Sequence, residues 1–152
     1  MSENKHKEMT EIYSTWGDKL LQHTDVLSSI QNEQKFKPIT IQLACNESCS
    51  STCPFCSVAG RPLKSYMPIE KIEKCLVDFK LLGAKSLELT GGGEPLIYKD
   101  KKSSKNINDI ISYAHTLKYN IGIITNSHDL KYIKPENYSK IDWLRISLIK
   151  LD

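Results

Sequence analysis

The chain has no long apolar stretch. No run in its 152 residues approaches the roughly 18–20 apolar residues that a membrane-spanning helix needs. Its first residues, MSENKHKEMTEIYS, are polar and lack the apolar core of a secretory signal peptide. We therefore predict no membrane association and a location in the cytoplasm.

The chain also has little excess of charge of one sign. Lys and Arg number 21 against 18 Asp and Glu, for a formal net charge of +3, and the two signs are mixed along the sequence. Nucleic-acid-binding domains usually concentrate basic residues on one face. The mild, dispersed charge instead indicates a solvated surface, and a nucleic acid partner is not expected.

Cysteine is scarce outside one segment. Four of the five cysteines lie within twelve residues, at Cys45, Cys49, Cys53 and Cys56. Thiols stay reduced in the cytosol, so a cluster of this kind predicts metal ligands rather than disulfides.

Apolar residues in the rest of the chain repeat with alternating helical and strand periods. Residues 1–10 form a polar tail, and 11–30 show roughly helical spacing. From residue 38 onward, short β-branched strands alternate with amphipathic helices, which predicts an α/β fold with a parallel sheet. We expect an N-terminal tail and helical segment over 1–37 and a core domain over 38–152. The expected strands are ITIQLA (39–44), KSLELT (85–90), IGIIT (121–125) and WLRISLI (143–149).

The ends of the intervening helices carry recognisable signals. Pro68 suits the first turn of a helix that Gly83 would close, because glycine adopts the left-handed conformation without strain. The next helix runs through Leu117, with Asn120 as its expected left-handed stop. Four such units suit either an open doubly wound sheet or part of a barrel.

Unusual residues follow three of the strands. The cysteine segment follows the first, Gly91-Gly92-Gly93-Glu94-Pro95 the second, and Thr125-Asn126-Ser127 the end of the third. In parallel α/β folds, functional groups lie at the carboxyl ends of the strands. These features are therefore expected to meet at one rim of the sheet.

The cysteine spacing alone allows two kinds of site. Four thiolates with gaps of two to four residues would suit tetrahedral zinc. Three thiolates would suit an iron–sulfur cluster that keeps one iron open, because soft thiolates bind either metal. Zinc ribbons usually present two ligand pairs with a longer spacer, whereas all four cysteines crowd one loop here.

The triple glycine needs its own explanation, because glycines carry a large cost in backbone entropy. A tight turn would need about one glycine. The segment lacks the lysine and spacing of a phosphate loop, and it does not match the dinucleotide fingerprint. We infer a close approach between the main chain and a ligand.

Together these segments resemble the radical S-adenosylmethionine (radical SAM) superfamily. Cys49-x3-Cys53-x2-Cys56 follows the first strand, with Phe55 before the last cysteine and Asn46 before the first. The segment Gly92–Pro95 resembles the second motif of the superfamily, and LRISL resembles its fourth strand. The resemblance implies a partial TIM-like (βα)6 barrel, here apparently truncated after strand four.

The resemblance implies an enzyme that carries a [4Fe–4S] cluster and S-adenosylmethionine (SAM). Cys49, Cys53 and Cys56 would bind the cluster, whose fourth iron chelates the methionine part of SAM. Reductive cleavage would then yield a 5′-deoxyadenosyl radical that abstracts hydrogen from an unknown substrate. No catalytic residue is expected beyond the cluster ligands.

Seven further residues are expected to contact SAM by the same resemblance. Gly92 and Gly93 would approach its ammonium group, and Glu94 would add negative charge there or brace the loop. Phe55 would lie by the adenine. Asn126 and Ser147 suit the ribose, and Arg145 suits the carboxylate, although ordinary loop polarity explains these last three equally well.

The short chain leaves several alternatives open. Cys45 is either a passenger at the strand end or a spare ligand. The chain could be a fragment, one half of a split enzyme completed by a second chain, or a minimal enzyme. The expected partners are a substrate and an electron donor such as flavodoxin or ferredoxin. The competing interpretations are a non-enzymatic four-cysteine zinc module for structure or partner binding, and an inactive cluster-binding fragment.

Overall fold

The computed structural model describes residues 19–32, 34–35 and 37–148. A 3-10 turn at Lys19–Gln22 precedes helix α1 (Thr24–Gln31). Val26 is buried, whereas Leu20 and Ile30 are exposed, so α1 presents only a narrow apolar stripe to the rest of the chain. Ile12 and Trp16, which belong to the same predicted helical pattern, lie outside the described residues.

Four strands alternate with helices in the core. They are β1 (Thr40–Leu43), β2 (Ser86–Leu89), β3 (Asn120–Asn126) and β4 (Trp143–Ser147). Helix α2 (Ile69–Leu81) connects β1 to β2, α3 (Ile107–Thr116) connects β2 to β3, and the short α4 (Pro135–Tyr138) precedes β4. Further 3-10 turns lie at Pro95–Ile97 and Ser127–Tyr132.

The strands form one parallel sheet in the order β1-β2-β3-β4. This confirms the predicted α/β fold with its parallel strands and the preceding helical segment. Because neighbouring strands are also consecutive in the chain, their carboxyl ends lie side by side along one edge. The loops that follow β1, β2 and β3 therefore meet there.

Helices and sheet share one hydrophobic core. Apolar residues from alternate strand positions pack with the apolar stripes of α2 and α3, as the helical spacing predicts. Its fully buried members include Ile72, Leu76, Leu87, Leu89, Ile110, Ile111, Ile121 and Ile123. Burial of each such side chain contributes about 1.5–3 kcal/mol to the stability of the fold. This core fixes the strands and thereby the loops that follow them at the sheet edge.

The opposite face of the sheet is polar. Gln42, Glu88, Gly122 and Trp143 align across the four strands, and Gln42 Nε2 donates to Glu88 Oε1 at 2.7 Å. The Trp143 ring covers Gly122, where a Cβ would lie 2.1 Å from it. Among the described residues, Ser86 Oγ, Glu88 Oε2 and Trp143 Nε1 are buried without a hydrogen-bond partner.

The two predicted helix ends differ in outcome. Gly83 takes φ of 100° after α2, as predicted, and its N–H donates to Lys80 O. The prediction for Asn120 was wrong, because Lys118 takes the left-handed conformation at φ of 60° and Asn120 already begins β3. The Asn120 N–H donates to Lys85 O in the sheet, which requires extended backbone there.

Candidate functional site

The cysteine segment forms a closed loop after β1. Asn46 and Tyr66 pair as an antiparallel bridge, and the Glu47 N–H donates to Ser65 O at 2.9 Å. The Met67 N–H then donates to Cys45 O at 2.8 Å. These contacts join the two ends of the loop at its base, and Cys49, Cys53 and Cys56 all lie between them.

Hydrogen-bond donors surround two of the three thiols. Arg61 Nη1 donates to Cys56 Sγ at 3.2 Å, and the Ser51 N–H donates to Cys49 Sγ at 3.5 Å. The pKa of Cys56 is lowered, chiefly by the Val58 N–H and then by Arg61. Donors of this kind favour the thiolate, which is the form that binds metal.

The three thiols are partly buried and are not gathered into one ligand set. Within residues 19–32, 34–35 and 37–148, no three His, Cys, Asp or Glu side chains are grouped closely enough to hold a metal ion. The chemistry of the donors nevertheless fits a thiolate-bound cluster, because N–H groups already point at two of the sulfurs.

Cys45 differs from the other cysteines of the loop. Its side chain is 1% exposed, and burial raises its pKa to about 12. The thiol lies 3.5 Å from Asn46 Oδ1 and 4.0 Å from Pro95 O, both of which can accept its proton. The Cys45 side chain thus packs in the hydrophobic core, whereas Cys49, Cys53 and Cys56 are only partly buried.

The glycine segment after β2 packs directly on the cysteine loop. The Gly93 N–H donates to Asn46 O at 2.9 Å, and the Glu94 N–H donates to Ser48 O at 2.7 Å. A Cβ at Gly93 would lie 1.8 Å from Ser48 O, a distance that no side chain tolerates. Gly91 and Gly92 turn the chain at φ of 76° and 53°. The glycines thus admit the cysteine loop as well as providing the tight turn.

Glu94 joins the ends of β2 and β3. Its Oε1 accepts from the Leu96 N–H at 3.0 Å and from the Thr125 hydroxyl, and its Oε2 accepts from the Asn126 N–H at 2.8 Å. Burial raises the pKa of the carboxyl, and these three donors oppose the rise. These hydrogen bonds tie the glycine segment to the end of β3, and the contact of Glu94 with SAM stays a prediction.

One cavity of about 290 Å³ gathers most of the predicted residues. Cys49, Cys56, Gly92, Gly93, Glu94, Asn126 and Ser147 line it. Three predicted residues lie away from its wall. Phe55 is 75% exposed, Cys53 does not line the cavity although it lies between Cys49 and Cys56 in the chain, and Arg145 stands 5.6 Å from the centre of the Trp143 ring.

Three residues at this edge, Arg61, Ser50 and Asp129, were not predicted from the sequence. Arg61 joins the loop by donating to Glu47 O at 2.7 Å as well as to Cys56. Ser50 accepts from Asn126 Nδ2 at 2.8 Å and donates to Asp129, while Thr125 holds Glu94. A lone arginine within the cysteine loop was the only sequence signal among them. The other contacts join residues at least 31 positions apart.

Comparisons with known proteins agree with this geometry. No family model matches the chain. A curated relative, the S-adenosylmethionine-dependent nucleotide dehydratase of Fibrobacter sp. (strain UWH6), is 29% identical over 107 residues. That match covers 65% of this chain and 30% of the relative.

Solved structures show the same fold. A crystal structure of Streptococcus suis SuiB bound to S-adenosylmethionine matches 90% of this chain and 32% of SuiB, with a TM-score of 0.54 and 20% identity. A second, of SuiB bound to the precursor peptide SuiA, matches with a TM-score of 0.55 and 19% identity. The chain has the fold of a partial radical SAM barrel.

The resemblance predicted from the cysteine and glycine motifs is thereby confirmed. The chain spans about a third of the length of the proteins that it matches. In the described part of this radical SAM fold, no helix is long and apolar enough to cross a membrane.

Proposed function

We propose that this chain binds a [4Fe–4S] cluster through Cys49, Cys53 and Cys56 and takes up SAM in the adjoining cavity, as a radical SAM enzyme or the N-terminal portion of one. The observation that carries the proposal is the shared cavity wall. Two of the three thiols face the same space as the glycine loop, Asn126 and Ser147. Two similar proteins support the same assignment: the Fibrobacter relative is named as SAM-dependent, and SuiB was crystallised with SAM bound.

The chain supplies the environment for this chemistry. When bound, the cluster would deliver one electron to the SAM sulfonium, giving methionine and the 5′-deoxyadenosyl radical that removes hydrogen from a substrate. Arg61 and the Ser51 N–H would stabilise the thiolates. Asn126 and Ser147 present hydrogen-bonding groups to the cavity, and the carbonyl groups of Gly92 and Gly93 are near enough to line it.

Phe55 and Arg145 remain proposed contacts for the adenine and the carboxylate of SAM. Phe55 directly precedes Cys56 in the chain, and its exposed ring has no packing partner among the described core residues to displace on binding the adenine. Arg145 lies two residues before Ser147 and therefore on the same face of β4 as this cavity-lining residue.

The remaining parts of the proposal concern organisation and partners. We assign residues 38–152 to the radical SAM core and 1–37 to a preceding segment. The electron donor would be a flavodoxin or ferredoxin, and a second chain would complete the barrel if the enzyme is split. A reducing compartment such as the cytoplasm would keep the cluster ligands as thiols.

Anaerobic reconstitution tests the cluster. We expect about four irons and four sulfides per chain, with brown absorbance that bleaches on reduction. Alanine at Cys49, Cys53 or Cys56 should abolish it, whereas Cys45→Ala and Cys75→Ala should retain it. One zinc per chain without colour would instead support the zinc module.

Formation of 5′-deoxyadenosine after addition of dithionite and SAM tests the reaction separately. A reconstituted chain that binds the cluster and yields no 5′-deoxyadenosine would be the inactive cluster-binding fragment.

A further inference from the structure

A second cavity lies on another side of the cysteine loop. Its volume is about 470 Å³, within the range of small-molecule sites. Lys64, Lys99, Lys101, Ser48, Tyr66 and Ser104 contribute to its lining. None of its lining residues borders the cavity of about 290 Å³, so the two spaces are distinct.

Three lysines from two separate segments converge on this cavity. Lys64 comes from the end of the cysteine loop, and Lys99 and Lys101 come from the connection between β2 and α3. Within the described residues, none of the three forms an ion pair, whereas nearby Lys105 contacts Glu73 at 2.7 Å. Lys101 Nζ lies 5.5 Å from the centre of the Tyr66 ring. The cavity therefore concentrates positive charge that its surroundings do not neutralise.

A buried carboxylate holds the connection that carries Lys99 and Lys101. Asp100 Oδ1 accepts from the N–H groups of Lys102 and Ser103 at 2.7 and 3.0 Å. Its Oδ2 accepts from the Ile69 N–H at 2.8 Å, which ties the connection to the start of α2. Ser104 completes the turn at φ of 61°. Lys99 and Lys101 thus lie on a turn that hydrogen bonds hold in place. The Asp100 carboxylate accepts from backbone N–H groups rather than pairing with either lysine.

We propose that this cavity binds the phosphate groups of a small phosphorylated molecule. Phosphate groups carry several negative charges and several acceptor oxygens, which match three ammonium groups and the hydroxyls of Tyr66 and Ser104. A concave space is a better match to a compact anion than to the flat face of a protein. The proposal does not depend on the proposed SAM chemistry, because the two cavities share no lining residue.

Titration calorimetry of the full apo chain with tripolyphosphate tests the proposal. We expect saturable binding of one tripolyphosphate per chain, weakened by added salt because the contacts are charged. Lys99→Ala/Lys101→Ala should weaken binding by at least about tenfold, the effect of losing one or two charge-assisted hydrogen bonds. Lys64→Ala, from the other segment, should weaken it independently.

Lys102→Ala is the matched control. It removes the same charge from the same exposed turn, but Lys102 does not line the cavity. We expect it to change the affinity by less than about twofold, as a distant screened charge should. Far-ultraviolet circular dichroism and the thermal midpoint of each variant confirm that the chain still folds.

Two results would overturn the proposal. The first is an absence of saturable binding at millimolar tripolyphosphate, or an equal loss of affinity in the Lys102 variant, which would indicate diffuse attraction only. The second is binding of a polyglutamate peptide without binding of tripolyphosphate, which would identify the surface as a dock for an acidic protein.

Discussion

At Gly93 the glycine segment packs against the cysteine loop so closely that no side chain would fit. The backbone of Ser48 lies where any side chain would begin, and the neighbouring N–H groups of Gly93 and Glu94 donate to the cysteine loop. Glu94 also fixes the glycine segment to β3 through Thr125 and Asn126. The position of the thiols relative to the cavity therefore depends on Gly93, which leaves room for Ser48, and on Glu94, whose carboxylate oxygens both accept hydrogen bonds.

We expect Gly93→Ala to displace the cysteine loop. The new methyl group would overlap the Ser48 carbonyl, and overpacking of this kind typically costs about 1–3 kcal/mol. Urea unfolding should show that loss, and iron incorporation on reconstitution should fall. Gly60→Ala is the control, because a Cβ there meets nothing within 4 Å and should change stability by less than about 0.5 kcal/mol. Equal stability of both variants would contradict this account of Gly93.

Among the elements, α2 depends on a carboxylate supplied by a distant connection. Its N-cap residue is Pro68, which makes no side-chain capping hydrogen bond. Asp100 provides the missing acceptor from 31 residues away, whereas Asn106 caps its own helix α3 in a local capping box. The helix between β1 and β2 and the turn that presents the lysines are thus stabilised by the same side chain.

We expect Asp100→Asn to lower the thermal midpoint by several degrees at neutral pH. An amide replaces one accepting oxygen with a donor, so either Ile69 or the turn loses its acceptor. Asp78→Asn, on the exposed surface of α2, should have a far smaller effect.

The pH dependence of unfolding gives a second readout at Asp100. Its pKa is lowered from 3.8, first by the Ile69 N–H and then by the Ser103 N–H. Its stabilising contribution is therefore present above pH 3.8 and is lost as the pH falls through the lowered pKa. The gap in thermal midpoint between wild type and Asp100→Asn should narrow over that range. A gap that stays constant would show that the carboxylate charge is unimportant.

At the scale of the whole molecule, β1 and β4 are the edge strands of the sheet in the part of the chain that the structure describes. Ile146 within β4 and Leu148 directly after it are 37% and 70% exposed. An edge strand with apolar neighbours offers unpaired backbone groups and apolar surface to another strand. The β4 edge therefore presents pairing groups and apolar side chains to a further strand.

We expect the isolated chain to self-associate through the β4 edge. Sedimentation velocity should show a sedimentation coefficient that rises with protein concentration, and Leu148→Lys should suppress the rise by placing charge at the edge. Leu81→Lys, at a site 82% exposed on α2, introduces the same charge away from the sheet edge and should leave association intact. If both variants behave alike, the association has another surface.

Local patterns in the sequence were enough to predict the strands, the helices and the α/β fold. The three-to-four-residue apolar spacing predicted α2 and α3, and Gly83 marked a real helix end. Cys49, Cys53 and Cys56 stood at a recognisable spacing. Each of these features can be read from a stretch of about ten residues, because helix period, turn chemistry and the spacing of cysteines are local properties. The error at Asn120 arose where sheet pairing with Lys85 outweighed the local preference of asparagine for the left-handed conformation.

Tertiary structure alone decided what each residue does. Cys45, which from the sequence was either a passenger or a spare ligand, packs in the hydrophobic core. Gly93 takes its role from Ser48, Glu94 from Thr125 and Asn126, and the lysine cavity from two segments held together by Asp100 and the Asn46–Tyr66 bridge. Such contacts depend on which distant segments pack together, and the sequence reveals only that the residues exist. The sequence by itself therefore determined the fold class, because helix and strand periods are local, and packing determined the shape and charge of the two cavities.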